Sequence, residues 1–182
     1  MRILPILLAM FALCGCSLLP KPADLHDFGL PAVNPTIAGD NPEQAATVTV
    51  EAPKWLYDNR IRYRLLYASS TQIRFYALDR WLAPPPELFE QLLTSSNLQS
   101  QHPVTVHLLE FEQHFSAPGQ AKVLMAFTVD AKSAAKNLVE HRQEFRLQRP
   151  SPTPDARGAV AAFSSLTKEA AQQIQNWLNS IK

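Results

Sequence analysis

Apolar and polar residues alternate along several segments of this chain, which is typical of β-strands with one buried face. A small polar stretch separates two of these segments, 61–67 and 72–77, and favours a hairpin between them. The predicted strands are 25–30, 47–52, 61–67, 72–77, 104–115, 122–132 and 137–148. Segment 122–132 is apolar on one face and mostly apolar on the other, which predicts a strand inside the sheet. Segment 137–148 alternates less regularly and is expected at an edge.

Two further segments repeat their apolar residues at helical spacing. The first helix is expected to begin at the prolines 84–86, because proline fits a first helical turn, and to end near residue 97. A proline-rich break precedes the second, which Asp155 is expected to cap and which extends to about Ile181. The order of strands, helix, strands and helix predicts an α+β fold. We expect a largely antiparallel sheet with two main helices packed on one face.

The amino terminus has the features of a secretory signal. Arg2 is followed by an apolar run of about a dozen residues, which suits a signal peptide and is short for a membrane span. The run ends in Leu13-Cys14-Gly15-Cys16, which resembles the bacterial lipoprotein box. That resemblance implies cleavage before Cys16 and acylation of Cys16, with palmitate among the expected chains. The alternative is an ordinary signal peptide followed by an unmodified cysteine.

This motif divides the chain into three parts. Residues 1–15 are the predicted lipoprotein signal peptide, 16–24 a lipidated tether containing two prolines, and 25–182 a single domain. No apolar stretch after Cys16 has the roughly 18 residues of a membrane span. By the sorting rule of similar lipoproteins, Ser17 implies the periplasmic face of the outer membrane, with the inner membrane as the alternative.

Composition limits the functions that the mature protein can have. The chain of 182 residues has 17 Lys and Arg against 16 Asp and Glu, and Arg2 leaves with the signal peptide, so the mature chain is formally neutral. It therefore has no overall basic excess for nucleic acid. The two cysteines are Cys14, which is removed, and Cys16, which becomes a thioether. Lipidation therefore excludes disulfides, cysteine nucleophiles and cysteine-bound metals.

The polar residues suggest little catalytic chemistry. His107 and His114 are an odd number of positions apart on one predicted strand, so regular pleating would place them on opposite faces. Glu110 and Glu112 would share a face, as an acid–base pair or as part of a solvated edge. The chain contains neither a Gly-x-Ser-x-Gly motif nor a glycine-rich phosphate loop. We expect a non-enzyme without metal or cofactor; a hydrolase assembled from distant residues is the alternative.

Several motifs together resemble the ABC-type transport auxiliary lipoprotein family. They are the lipoprotein box, Val48-Thr49-Val50-Glu51-Ala52-Pro53, Ile61-Arg62-Tyr63-Arg64 and Arg80-Trp81-Leu82-Ala83-Pro84. The resemblance implies a lipid-anchored, non-catalytic periplasmic component of an ABC or MCE-type transporter for lipids or hydrophobic solutes. Its expected partners are the membrane, an MCE-domain protein and further copies of itself in a ring. The alternative is an envelope-assembly or lipid-binding lipoprotein unrelated to an ABC transporter.

Arg80 and Trp81 have two interpretations, and Trp55 enters the second. In the structural one, Trp81 caps the core where the sheet meets the first helix, and Arg80 pairs with a carboxylate or a carbonyl group. In the functional one, all three residues form the contact surface for the transport partner, because tryptophan and arginine are frequent interface anchors.

Overall fold

The computed structural model describes residues 21–29, 46–96, 98–100, 102–132 and 139–181. The predicted signal peptide, Cys16 and the first part of the predicted tether lie outside the described residues. The strands are β1 (Asp24–His26), β2 (Val48–Glu51), β3 (Arg60–Leu65), β4 (Arg74–Trp81), β5 (Val104–Ala117), β6 (Gln120–Lys132) and β7 (Val139–Pro150). The helices are α1 (Pro85–Ser95) and α2 (Ala156–Ser180). The predicted α+β class is therefore confirmed.

The strands form one mixed sheet in the order β1-β4-β3-β5-β6-β7, and β2 also pairs with β5. The long ladders β5–β6 and β6–β7 are antiparallel, as is the hairpin β3–β4. The pairs β1–β4, β2–β5 and β3–β5 are parallel. The antiparallel prediction thus holds for the longest strands. It missed the parallel pairs because their partners are far apart in sequence, and alternation within a strand does not encode its direction.

Both helices pack on the same face of the sheet. The rings of Phe163 in α2 and Phe111 in β5 stack with their centroids 3.9 Å apart. Phe89 in α1 meets Phe127 in β6 edge-on at 5.8 Å. Since Phe111 pairs with Met125, two residues before Phe127, all of these strand residues face the helices. The hydrophobic core lies between this sheet face and the two helices.

The helix boundaries follow the local sequence signals. Helix α1 begins at Pro85 after Pro84, where a missing N–H costs no helical hydrogen bond. Asp155 caps α2, with its carboxylate accepting a 2.8 Å hydrogen bond from the Gly158 N–H.

The expected positions of two strands are also confirmed, since β6 is paired on both sides and β7 lies at an edge. Within the described ranges, neither helix combines the length and hydrophobicity required to cross a membrane.

Candidate contact surfaces

The sheet face opposite the helices carries a network of charges centred on β5. Glu112 Oε1 lies 2.6 Å from Arg64 Nε and 2.7 Å from His114 Nε2. Glu110, on the same face, lies 2.9 Å from the guanidinium of Arg146 on β7. One ligand atom from each of Glu110, Glu112 and His114 lies within 4.8 Å of the others, a donor set suited to a divalent cation. The carboxylates are already paired with two guanidinium groups, so the geometry favours an ion-pair network.

A β-bulge brings the two histidines of β5 to this face. The pairing with β6 shifts between Leu108, opposite Phe127, and Glu110, opposite Ala126, which leaves Leu109 as an extra residue. His107 and His114 consequently pair with Thr128 and Lys122, which are six positions apart on β6 and share one face. The predicted opposite placement was wrong, because it assumed a regular pleat.

A second carboxylate, Asp130 on β6, forms the other part of this charged face. The guanidinium group of Arg142 binds both carboxylate oxygens of Asp130, with Nε–Oδ1 and Nη2–Oδ2 distances of 2.6 Å. His107 Nε2 lies 3.2 Å from Asp130 Oδ2, and its Nδ1 lies 3.4 Å from Glu51. Hydrogen bonds from Arg142, and to a smaller extent from His107, hold the pKa of the Asp130 carboxyl below its usual value. Asp130 is therefore ionised at neutral pH.

Glu112 is also held in its charged form. Burial by itself would raise the pKa of the Glu112 carboxyl, but the hydrogen bonds with His114 and Arg64 outweigh it and lower the pKa. A carboxylate stabilised in this way is a poor general acid near neutral pH. Both carboxylates therefore suit structural ion pairing better than proton transfer.

The structure separates the three residues predicted to contact a partner. Trp81 is 1% exposed and lies in an aromatic cluster, with ring centroids 5.3 Å from Phe28, 5.9 Å from Phe111 and 5.8 Å from Phe163. Its position matches the structural interpretation, and its ring is not available at the surface. Arg80 is half-exposed on β4.

Arg80 lies in register with Leu25 on β1 and Arg60 on β3. Its guanidinium forms no hydrogen bond or ion pair with the other residues that the structure describes, so the expected carboxylate or carbonyl partner is not found among them. Trp55, in contrast, is 62% exposed, in the short 3-10 helix Lys54–Leu56.

Trp55 belongs to an exposed surface that the sequence did not indicate. We call Leu25, Trp55, Tyr57 and Leu82 the apolar surface; each is at least 47% exposed. Leu25 and Leu82 border an open groove of about 580 Å³ beside α2. Leu82 also borders a second open groove, of about 640 Å³, together with Trp55 and Tyr57. Since Leu82 lies on both grooves, the four side chains border one continuous surface.

Sequence reasoning found only Trp55 of this set. The backbone holds the surface together, because the Leu82 N–H donates a 2.7 Å hydrogen bond to the His26 carbonyl. The available signal was the turn Lys54-Trp55-Leu56-Tyr57, in which Leu56 alone is buried and the two aromatic residues beside it face outwards.

No family model and no curated protein matches this sequence. Among solved structures, the fold is similar to that of a Xanthomonas campestris protein described under the family model DUF330. That match has a TM-score of 0.67 and 15% identity, and it covers 85% of this chain and 94% of the other. A second structure, described as an uncharacterized protein, has a TM-score of 0.56 and 12% identity over 89% of this chain and all of its own. At these identities the likeness shows the fold alone.

Proposed function

We propose that this protein is a lipid-anchored, non-catalytic component of an ABC or MCE-type transport system for lipids or hydrophobic solutes, on the periplasmic face of the outer membrane. The observation that carries the proposal is Leu13-Cys14-Gly15-Cys16 at the end of a signal-like apolar run, a few residues before a folded domain. One acyl chain holds a protein at a membrane only marginally, whereas two or three on one residue anchor it stably.

The positions of the family-like motifs support this proposal. The Val-x-Val motif forms β2, the Ile61 motif lies in β3, and Arg80-Trp81 ends β4 just before α1. Two of these elements meet where the Trp81 N–H, at the end of β4, donates a 2.7 Å hydrogen bond to the carbonyl of Asn59, the residue before β3. The β2 motif contacts α1 directly, since the Val50 N–H donates a 2.7 Å hydrogen bond to the Glu90 carboxylate. The motif residues therefore lie where the sheet meets the first helix, which is a reason for a family to share them.

The charged sheet face is compatible with a binding role. Its carboxylates are paired with arginine and histidine side chains, and no described side-chain nitrogen or oxygen that is buried lacks a hydrogen-bond partner. We therefore propose that the protein acts by holding a partner at the membrane, and that Arg80 is the partner contact among the three residues predicted from the sequence. Trp81 is part of the core, and Trp55 belongs to the apolar surface.

Affinity capture of the acylated protein from native envelopes tests this function. We expect an MCE-domain protein to be recovered with the wild type, and to be lost with Arg80→Ala while the melting temperature is unchanged. The matched control is Arg74→Ala, at the other end of the same strand, which should retain the partner. Recovery of co-purified lipid without any transport protein would instead favour the lipid-binding alternative and contradict the transporter role.

A further inference from the structure

The apolar surface lies where the chain enters the domain. Leu25 is in β1, the first described strand, and nine positions separate it from Cys16. An extended chain of this length spans at most about 30 Å. If Cys16 carries the acyl chains, as the proposed function requires, β1 and the side chains around it are held close to the bilayer.

The side chains of this surface suit a lipid interface. Trp55 is 62% and Tyr57 47% exposed, and both residue types combine an apolar ring with a polar group that favours the headgroup region. Leu25 and Leu82, each 59% exposed, extend the apolar area. Isolated exposed leucines are common in proteins, but four large side chains on one continuous surface indicate a binding surface.

The charges around the apolar surface are mostly basic. Lys54 and Arg157 are exposed and border the two grooves, and the exposed Lys21 lies four residues before Leu25. The carboxylate of Asp58 is paired with Arg60 at an Nε–Oδ2 distance of 2.7 Å. The exposed acids are Asp27, which borders the first groove, and Asp24, which is next to Leu25. This balance favours an anionic lipid headgroup layer.

We infer that the apolar surface formed by Leu25, Trp55, Tyr57 and Leu82 lies directly against the bilayer that anchors Cys16. The domain then has a fixed orientation on the membrane. Strand β3 begins at Arg60, which borders the second groove, and its six residues span roughly 20 Å. The Leu65 end of β3 therefore faces away from the lipid. Leu66, Tyr67 and Ile73, all exposed around the β3–β4 hairpin, would point into the periplasm.

Tryptophan quenching tests this orientation. The acylated full-length mature protein is reconstituted into vesicles of phosphatidylethanolamine and phosphatidylglycerol with brominated acyl chains, and vesicles with unbrominated chains serve as the reference. The protein has three tryptophans, of which Trp81 is buried in the core. Quenching of Trp55 should lower the emission by up to about a third, and the decrease should disappear in Trp55→Phe.

A matched pair of variants separates lipid contact from the anchor. Leu82→Glu adds a charge to the apolar surface and should abolish the quenching of Trp55, although the protein still floats with the vesicles. Leu66→Glu, at the hairpin, should leave the quenching unchanged. Flotation without quenching of wild-type Trp55 would overturn the inference and leave the proposed function intact. Loss of MCE-protein capture in Leu82→Glu, without quenching in the wild type, would assign the surface to a protein. Failure to float would overturn both proposals.

Discussion

At the residue scale, Trp81 and Trp55 show that one residue type can be buried in the core or exposed at the surface of the same domain. Trp81 is enclosed by three phenylalanine rings, whereas Trp55 projects from a turn. Trp81→Ala should lower the free energy of unfolding by about 3–5 kcal/mol, since it opens a large cavity in the core. Chemical denaturation measures the change. Trp55→Ala is the control and should change stability by less than about 0.5 kcal/mol; equal effects of the two substitutions would contradict these assignments.

The pairing of Glu112 should make stability depend on pH. Its folded pKa lies below its ordinary value, so its contribution is fully present above the ordinary value and is lost as the pH falls through the folded pKa. Glu112→Gln should therefore destabilise the protein near pH 7, and the difference from wild type should shrink below about pH 4.5. Unfolding curves at pH 7 and pH 3.5 measure this.

The matched control for that experiment is Glu144→Gln, on the exposed edge strand β7. It should alter stability little at either pH, because surface substitutions of this kind usually have small effects. A difference between wild type and Glu112→Gln that grows as the pH falls would refute the sign derived from the lowered pKa.

At the element scale, the start of α2 depends on a close approach between backbone segments. A Cβ atom on Gly158 would lie 1.9 Å from the Thr153 carbonyl oxygen, so only glycine fits beneath that loop. Gly158→Ala should destabilise the protein by about 1–3 kcal/mol or more, measured by thermal or chemical unfolding. The reverse change at an exposed position of the same helix, Ala161→Gly, should cost about 0.5–1 kcal/mol through helix propensity alone. A neutral Gly158→Ala would show that the loop does not lie there.

The sequence predicted those elements whose signals are local. The prolines before α1, the Asp155 cap and the alternation along β6 each act within a few residues, and all three predictions are confirmed. The bulge at Leu109 was missed because the chain gives no local sign of an extra residue, and the positions of both histidines were consequently misjudged. The parallel addition of β1 and β2 depends on distant partners.

At the scale of the whole molecule, the candidate surface was predicted only in part. Tryptophan and arginine at a turn indicate either a core cap or an interface, and sequence alone did not decide between the two for Trp81. The two roles differ because the Trp81 ring packs against Phe163 in the core, whereas the Trp55 ring projects into solvent from a turn. Leu25 joins Leu82 and Trp55 because β1 pairs with β4, fifty-five positions further along the chain at Leu25 and Arg80.

Under the proposed function, one end of the domain is anchored and one face of its sheet carries paired charges. The helices cover one face of the sheet, the ion pairs of Glu112 and Asp130 occupy the other, and the apolar surface lies at the edge where the tether enters. Such an arrangement suits a protein that holds a partner at a fixed position above a membrane.

The intact mass of the protein purified from its native host shows whether Cys16 is acylated, on which both proposals depend. We expect a mature chain that begins at Cys16 and carries a thioether-linked diacylglycerol and an acylated amine. The Cys16→Ser variant should lack these groups and remain unprocessed. An unmodified thiol on Cys16, or a retained leader in the wild type, would refute the lipid anchor.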